Sequence, residues 1–130
     1  MHLIDTNVVS ELMRPRPAPS VSAWLGEREV LAMSVISIEE VRFGLMLRRS
    51  ARLEDWFRRF VRDFVQVMTV TERIAERSGE LRALLRQQGQ VRAQADMLIA
   101  ATAAEHAAVV VTRNERDFAG CGIRVFNPFH

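Results

Sequence analysis

Residues 3–12 read "LIDTNVVSEL", and the order of residue types in them decides the fold. Leu3 and Ile4 form a short apolar strand, and Asp5 falls where that strand stops. Thr6 and Asn7 are turn or cap types rather than strand formers. A helical stretch then runs from about Asn7 to Met13, until the proline-rich "RPRPAP" (14–19) breaks it. A strand that passes straight into a helix is the first half of a β–α unit. An acid at the junction either caps the helix or is the first of several acids gathered for chemistry, and the rest of the chain has to decide.

The same alternation continues outward. Residues Val21–Leu25 suggest a short helix, and "VLAMSVIS" (30–37) reads as a buried strand. In "SIEEVRFGLMLRR" (37–49), Val41, Leu45 and Arg48 fall on a helical repeat, with Gly44 as an internal small residue. The clearest helix is "LEDWFRRFVRDF" (53–64). Its Leu53, Trp56, Phe57, Phe60, Val61 and Phe64 follow the i, i+3, i+4 pattern, while Arg58, Arg59 and Arg62 face away. A strand-like "VQVMTV" (65–70) precedes a helix from about Glu72 to Gln88. The alanine-rich "ADMLIAATAAEHA" (95–107) then leads into "VVVT" (109–112), an all-apolar strand of the kind buried on both faces, and "IRVFNP" (123–128) reads as the last strand. Strands alternating with helices predict an α/β fold whose central, mainly parallel β-sheet is flanked by α-helices, as one domain over residues 1–130.

Composition narrows the function. All 18 basic residues are arginine, so phosphate loops and Schiff-base enzymes that need a lysine are excluded. A single cysteine, Cys121, cannot close an intrachain disulfide, and no histidine is placed to activate it as a nucleophile. None of the three histidines has a zinc-ligand spacing. The first apolar run is interrupted by Asp5 and the later ones are too short to span a bilayer, so a cytoplasmic protein is expected. The net charge is only +2, which announces no broad nucleic-acid-binding field.

Functional groups of a parallel sheet gather beyond the carboxyl ends of its strands. Three acids have that placement: Asp5 after the first strand, Glu40 one turn into the helix after "AMSVIS", and Asp117 in "TRNERDF" after "VVVT". A fourth, Asp96, begins the alanine-rich helix after the "GQVRAQ" loop. Each also has a plain structural role open to it. Asp5 can cap a helix, Ser37 and Glu40 have the S-x-x-E spacing of a capping box, Asp96 suits a helix first turn, and Asp117 suits a turn. Taken together they point further. Carboxylates within about 5 Å of one another repel by roughly 3 kcal/mol per pair at an effective dielectric near 20, so a fold that collects four requires a counter-charge. A hard divalent cation supplies it, binding one or two carboxylates and keeping several waters. Such a site suits phosphodiester hydrolysis and needs neither lysine nor cysteine.

With these residues in place the chain resembles the PIN-domain ribonucleases, in particular the VapC toxins of type II toxin–antitoxin systems and their FitB-like branch. "LIDTNVVSEL" resembles the family's opening strand and first acid. "SVISIEEVRFG" is similar to its second block, with Glu40 followed four residues later by Gly44. "ADMLIAATAAEHAAVVVTRNERDF" resembles the third, with acids at Asp96 and near Asp117. The resemblance implies a PIN-like fold, a Mg²⁺- or Mn²⁺-dependent endoribonuclease acting on RNA, a homodimer or higher assembly, and inhibition by a small cognate antitoxin of the VapB or FitA type. It implies Asp5 and Asp96 as the direct metal ligands, Glu40 as a ligand or water-orienting base, and Asp117 as the residue that completes the cluster. Many relatives carry an acid where this chain has Asn114, so either Asn114 is a neutral ligand beside Asp117 or a second metal site is weak. The helix Leu53–Phe64 resembles the wall of a groove in which antitoxin helices dock, from which a basic arm would reach the acids.

Two other readings stay open from the sequence: a PIN nuclease of RNA maturation, and a PIN-like module with attenuated cleavage that acts with a DNA-binding partner. Haloacid-dehalogenase phosphatases and phosphoacceptor receivers fit worse, because both expect a lysine. The former also wants an aspartate where Asn7 stands.

Overall fold

The structure is a computed structural model that describes residues 1–28 and 30–130. Five strands, β1 (His2–Ile4), β2 (Leu31–Ser34), β3 (Val65–Met68), β4 (Val109–Val111) and β5 (Arg124–Phe126), make one sheet in the order β3-β2-β1-β4-β5. Every pairing is parallel, with Leu3 opposite Ala32 on one side and Val110 on the other. The helices are α1 (Thr6–Leu12), α2 (Pro19–Gly26), α3 (Val35–Arg48), α4 (Ala51–Phe64), α5 (Glu72–Gln87) and α6 (Gln94–Glu105), and a 3-10 turn covers Glu115–Phe118.

Alternation along each strand sorts the core into two layers, because successive side chains leave a strand on opposite faces. Ile4, Met33 and Val111 pack with Val8, Val9, Val41, Leu45 and Phe57 on the face covered by α1 to α4. Leu3, Ala32 and Val110 pack with Leu85, Met97, Ile99, Ala100, Ala103 and Phe118 on the other. Ala100, Ala101 and Ala103 of α6 are buried, which lets that helix lie close to the sheet and to α5. Of the α4 stripe, Leu53 and Phe57 enter the core, Trp56 stacks on Phe60 with ring centroids 5.0 Å apart, and Phe64 stays half exposed.

The second strand is shorter than the sequence pattern suggests. It ends at Ser34 rather than Ser37, because the Ser34 hydroxyl accepts the Ile36 N–H at 3.0 Å and starts α3 there. Ser37 therefore lies inside the helix, and the capping box with Glu40 does not form. Glu40 stands in the second turn of α3, free of any backbone-capping duty.

In this topology the chain runs from β1 outward to β2 and β3 on one side, and through β4 to β5 on the other. The reversal lies between β1 and β4, and the crevice beyond their carboxyl ends is where an open α/β sheet places its ligands.

Candidate active site

An open cleft of about 610 Å³ lies at that reversal, and Asp5, Glu40, Asp96 and Asn114 are among its lining residues. Three of the four predicted acids thus share one cavity although they are up to 91 residues apart in the chain. Asp5 leaves β1 with its backbone N–H tied to the Val111 carbonyl at 2.9 Å, so β4 fixes its position. Its side chain does cap α1, accepting the Thr6 N–H on Oδ1 at 2.8 Å. Oδ2 accepts the Thr112 hydroxyl at 2.8 Å and the Asn7 amide at 3.2 Å. The two roles left open by the sequence are therefore compatible: one carboxylate closes the helix and also faces the cleft.

Glu40 enters from α3 and is held across the cleft by the Thr6 hydroxyl, which donates to Oε1 at 2.7 Å. Asp96 comes from the first turn of α6, behind the N-cap Ala93, whose side chain cannot cap. Asp117 is set differently. It sits in the 3-10 turn and lines a neighbouring cavity of about 550 Å³, together with Arg113 and Asn114. Asn114 borders both cavities.

The charges nonetheless feel one another. Partial burial pushes the Asp96 carboxyl up to about 6, with the negative charges of Asp5, Asp117 and Glu40 adding to the effect and Arg92 opposing it. Burial also raises Asp5. Its bonds from Thr112, the Thr6 N–H and Asn7 draw it down, and the Asp117 charge adds to the rise. The carboxylates lining the cleft, Asp5, Glu11, Glu40 and Asp96, outnumber its arginines, Arg14, Arg48 and Arg113, by one.

Among the described residues no three His, Cys, Asp or Glu side chains form an arrangement that by itself would hold an ion. The donor set fits a hard cation all the same. Mg²⁺ takes oxygen ligands, needs only one or two carboxylates and keeps the remainder of its shell as water. An open, acid-rich cleft with raised carboxyl pKa values offers that chemistry.

A family model described as PIN domain matches residues 2–121. The chain belongs to the PIN-domain family. It is 32% identical to Toxin FitB of Neisseria gonorrhoeae, covering 100% of this chain and 99% of that one. The crystal structure of FitAcB from the same organism superposes with a TM-score of 0.87 over 100% of this chain and 99% of that chain. VapC ribonuclease Y4jK of Sinorhizobium fredii is 31% identical over 99% of this chain and 98% of its own length. A toxin–antitoxin complex from Klebsiella pneumoniae contains a chain with 28% identity and a TM-score of 0.81, covering 100% of this chain and 99% of that one.

Within this PIN domain the sequence reading missed the residues that hold the acids. Thr112 is fully buried. It donates to Asp5 and accepts from the Asn7 amide at 3.1 Å and the Asn114 N–H at 3.0 Å, which uses its whole hydrogen-bonding capacity. Its signal was the one polar residue closing "VVVT". Glu11 was missed as well. Nearly buried on α1, it accepts the Ala18 N–H at 2.9 Å and Arg14 at 3.2 Å, and those bonds hold its pKa down. It thereby folds the "RPRPAP" turn back onto the PIN core. A third, apolar groove of about 360 Å³ runs between α3, α4 and β3, lined by Val35, Ile38, Phe57, Val61 and Val67 together with Arg42 and Arg58.

Among the described residues no helix is long and apolar enough to cross a membrane.

Proposed function

We propose that this PIN domain is the toxin of a type II toxin–antitoxin pair, a Mg²⁺-dependent endoribonuclease that hydrolyses RNA phosphodiester bonds, with Mn²⁺ as a substitute metal. The observation that carries the reading is the convergence of Asp5, Glu40 and Asp96 on one open cleft at the sheet's topological switch point, with excess negative charge. The kinship with a protein named VapC ribonuclease supports the activity, and the kinship with Toxin FitB supports the biological role.

Asp5 and Asp96 would hold the ion. When bound, it would polarise a phosphoryl oxygen and lower the pKa of a water. The chain's own residues do the remainder. Thr6 occupies Oε1 of Glu40 and leaves Oε2 to orient an attacking water and accept its proton. Thr112 and Asn7 fix the rotamer of Asp5, so the carboxylate is pre-organised before substrate arrives. Asp117 contributes charge from the adjoining cavity, and Asn114 is the neutral group on the shared border.

A cognate antitoxin of the VapB or FitA type is the proposed inhibitor, docking an apolar helix in the groove between α3 and α4. The complex from Klebsiella pneumoniae supports an antitoxin partner. A homodimer within such an assembly is supported by the exposed apolar stripe Phe43, Met46 and Leu47 on α3.

Cleavage of total RNA by the purified chain, free of any partner, tests the activity. With Mg²⁺ or Mn²⁺ discrete fragments are expected, and EDTA or Asp5→Asn should abolish them. Folded protein that cuts no RNA with either metal would overturn the nuclease and favour a binding module working with a DNA-binding partner.

A further inference from the structure

The acid cleft leaves a difficulty unsolved: it repels the polyanion it is proposed to cut. A net charge of +2 supplies little long-range attraction, so the pull on RNA has to be local. The cavity that adjoins the cleft holds a candidate for it. Arg113 and Asn114 line both spaces, so the two cavities of about 610 and 550 Å³ meet along this pair.

Arg113 is unusually well fixed for an exposed arginine. Its backbone N–H donates to Asn7 Oδ1 at 3.1 Å, and the Asn7 amide on the other side holds Asp5. Its carbonyl accepts from Asn127 Nδ2 at 3.4 Å. Its guanidinium lies over the Phe129 ring, 4.8 Å from the centroid, and among the described residues no carboxylate forms a salt bridge with it. The acid nearest in sequence, Glu115, is instead reached by Asn127 at 3.3 Å. A ring-stacked guanidinium keeps its donor edge open, and that planar fork matches two phosphate oxygens at once.

We propose that the second cavity seats the nucleotide next to the scissile phosphate, and that Arg113, on the ridge between the cavities, anchors the phosphate joining the two. This rests on the nuclease reading above and adds the path of the strand: from the acid cleft, over Arg113, into the cavity lined by Asn127 and Phe129, where Arg113 and Arg116 offset the carboxylates of Glu115 and Asp117. Because Asn7 links Arg113 to Asp5, the anchor and the reacting centre share one rigid frame.

The test separates binding from chemistry. Asp96→Asn, which removes a proposed metal ligand, serves as the background. A fluorescein-labelled single-stranded 2′-O-methyl RNA 20-mer of random sequence is titrated in EDTA over a series of NaCl concentrations. Adding Arg113→Gln is expected to weaken binding five- to tenfold and to lower the slope of log affinity against log salt by about 0.7, the value of one lost phosphate contact on a single strand. Arg113→Lys should keep most of the slope and lose part of the affinity, and Phe129→Leu should weaken binding without changing the slope. An unchanged affinity and slope in Arg113→Gln would overturn the proposal. So would a loss confined to binding of the antitoxin partner, which would make Arg113 a protein contact. Cleavage by the parent chain is run alongside. If the parent cuts RNA and Arg113→Gln does so with unchanged KM, the anchor alone fails, whereas a parent that cuts nothing removes the nuclease reading and the anchor with it.

Discussion

Thr112 Oγ1 donates a 2.8 Å hydrogen bond to Asp5 Oδ2, linking the ends of the two central strands across 107 positions of sequence. The hydroxyl is fully buried and takes two N–H donors in return, so nothing else can substitute for it in place. Thr112→Val keeps the shape and removes every one of these bonds. It should cost about 2–3 kcal/mol, because a buried carboxylate and two N–H groups lose a partner. Thr112→Ser, which keeps the hydroxyl, should stay within about 1 kcal/mol of the parent, the worth of one buried methyl. Urea unfolding of both variants checks the difference.

Thr6 makes the corresponding bond on the other wall, donating to Glu40 Oε1 at 2.7 Å. It is partly exposed, so its loss falls on function more than on stability. Thr6→Val should lower kcat for RNA cleavage by about tenfold, in the range of a misplaced general base, with KM little changed. Unfolding free energy should drop by only about 1 kcal/mol. Steady-state kinetics beside a urea melt reads both. Equal losses in kcat and stability would mean that Thr6 merely holds the fold.

Much of this architecture was legible in the chain. Strand-to-helix alternation, with apolar runs such as "VVV" at 109–111, points to a parallel sheet, and position after a strand was enough to pick out Asp5. Asp96 instead follows a loop after α5, and was picked out by its place at the start of the alanine-rich helix and in the third family-like block. What escaped was what depends on contacts between distant segments. Ser34 and Ser37 both stand before an apolar helical run, and the S-x-x-E spacing favoured Ser37. Only the pairing of Ser34 with Met68 shows where the strand ends and the helix begins. The holding roles of Thr6 and Thr112 span 34 and 107 residues, a separation no local pattern reports. Asp117 was placed with the other acids because it follows the same strand as Thr112. The 3-10 turn that carries it directs it into the adjoining cavity, and such a turn has no clear sequence signature.

Asp96 should make the metal-free protein less stable as pH rises. Its folded pKa, about 6, lies above the ordinary aspartate value of 3.8, so the folded chain holds this proton more tightly than the unfolded one. Stability from this group is therefore greatest below about pH 4, declines between about 4 and 6, and is flat above. Asp96→Asn should accordingly melt about 2–4 °C higher than the parent at pH 7.5 in EDTA, with the gain shrinking at pH 4.5. Millimolar Mg²⁺ should invert the order at pH 7.5, raising the parent's melting point and leaving the variant's unchanged. Thermal melts at two pH values, with and without metal, decide it. A variant that melts below the parent in EDTA would show that the carboxylate is structurally favourable as it stands.

Arg92 ties the loop before α6 to the loop after β4. Its guanidinium donates to the Asp117 carbonyl at 2.8 Å, the Ala119 carbonyl at 2.7 Å and Gln90 Oε1 at 2.7 Å, and lies 3.9 Å from the Cys121 sulfur. The chain's only cysteine thus sits beside the clamp and can report on it. Burial raises the Cys121 thiol, and the Arg92 charge opposes that rise, so in a rigid loop removing Arg92 would slow thiol chemistry. If Arg92 instead holds the loop shut, its loss lets the segment open locally and exposes the sulfur. The freed carbonyls favour the second outcome. Arg92→Ala should react with a disulfide reagent about tenfold faster than the parent, an opening cost lowered by roughly 1.4 kcal/mol, while Arg92→Lys should fall between them. Labelling kinetics at pH 8 reads the sign directly, and slower labelling in Arg92→Ala would mean that Asp117 is held in place without the arginine.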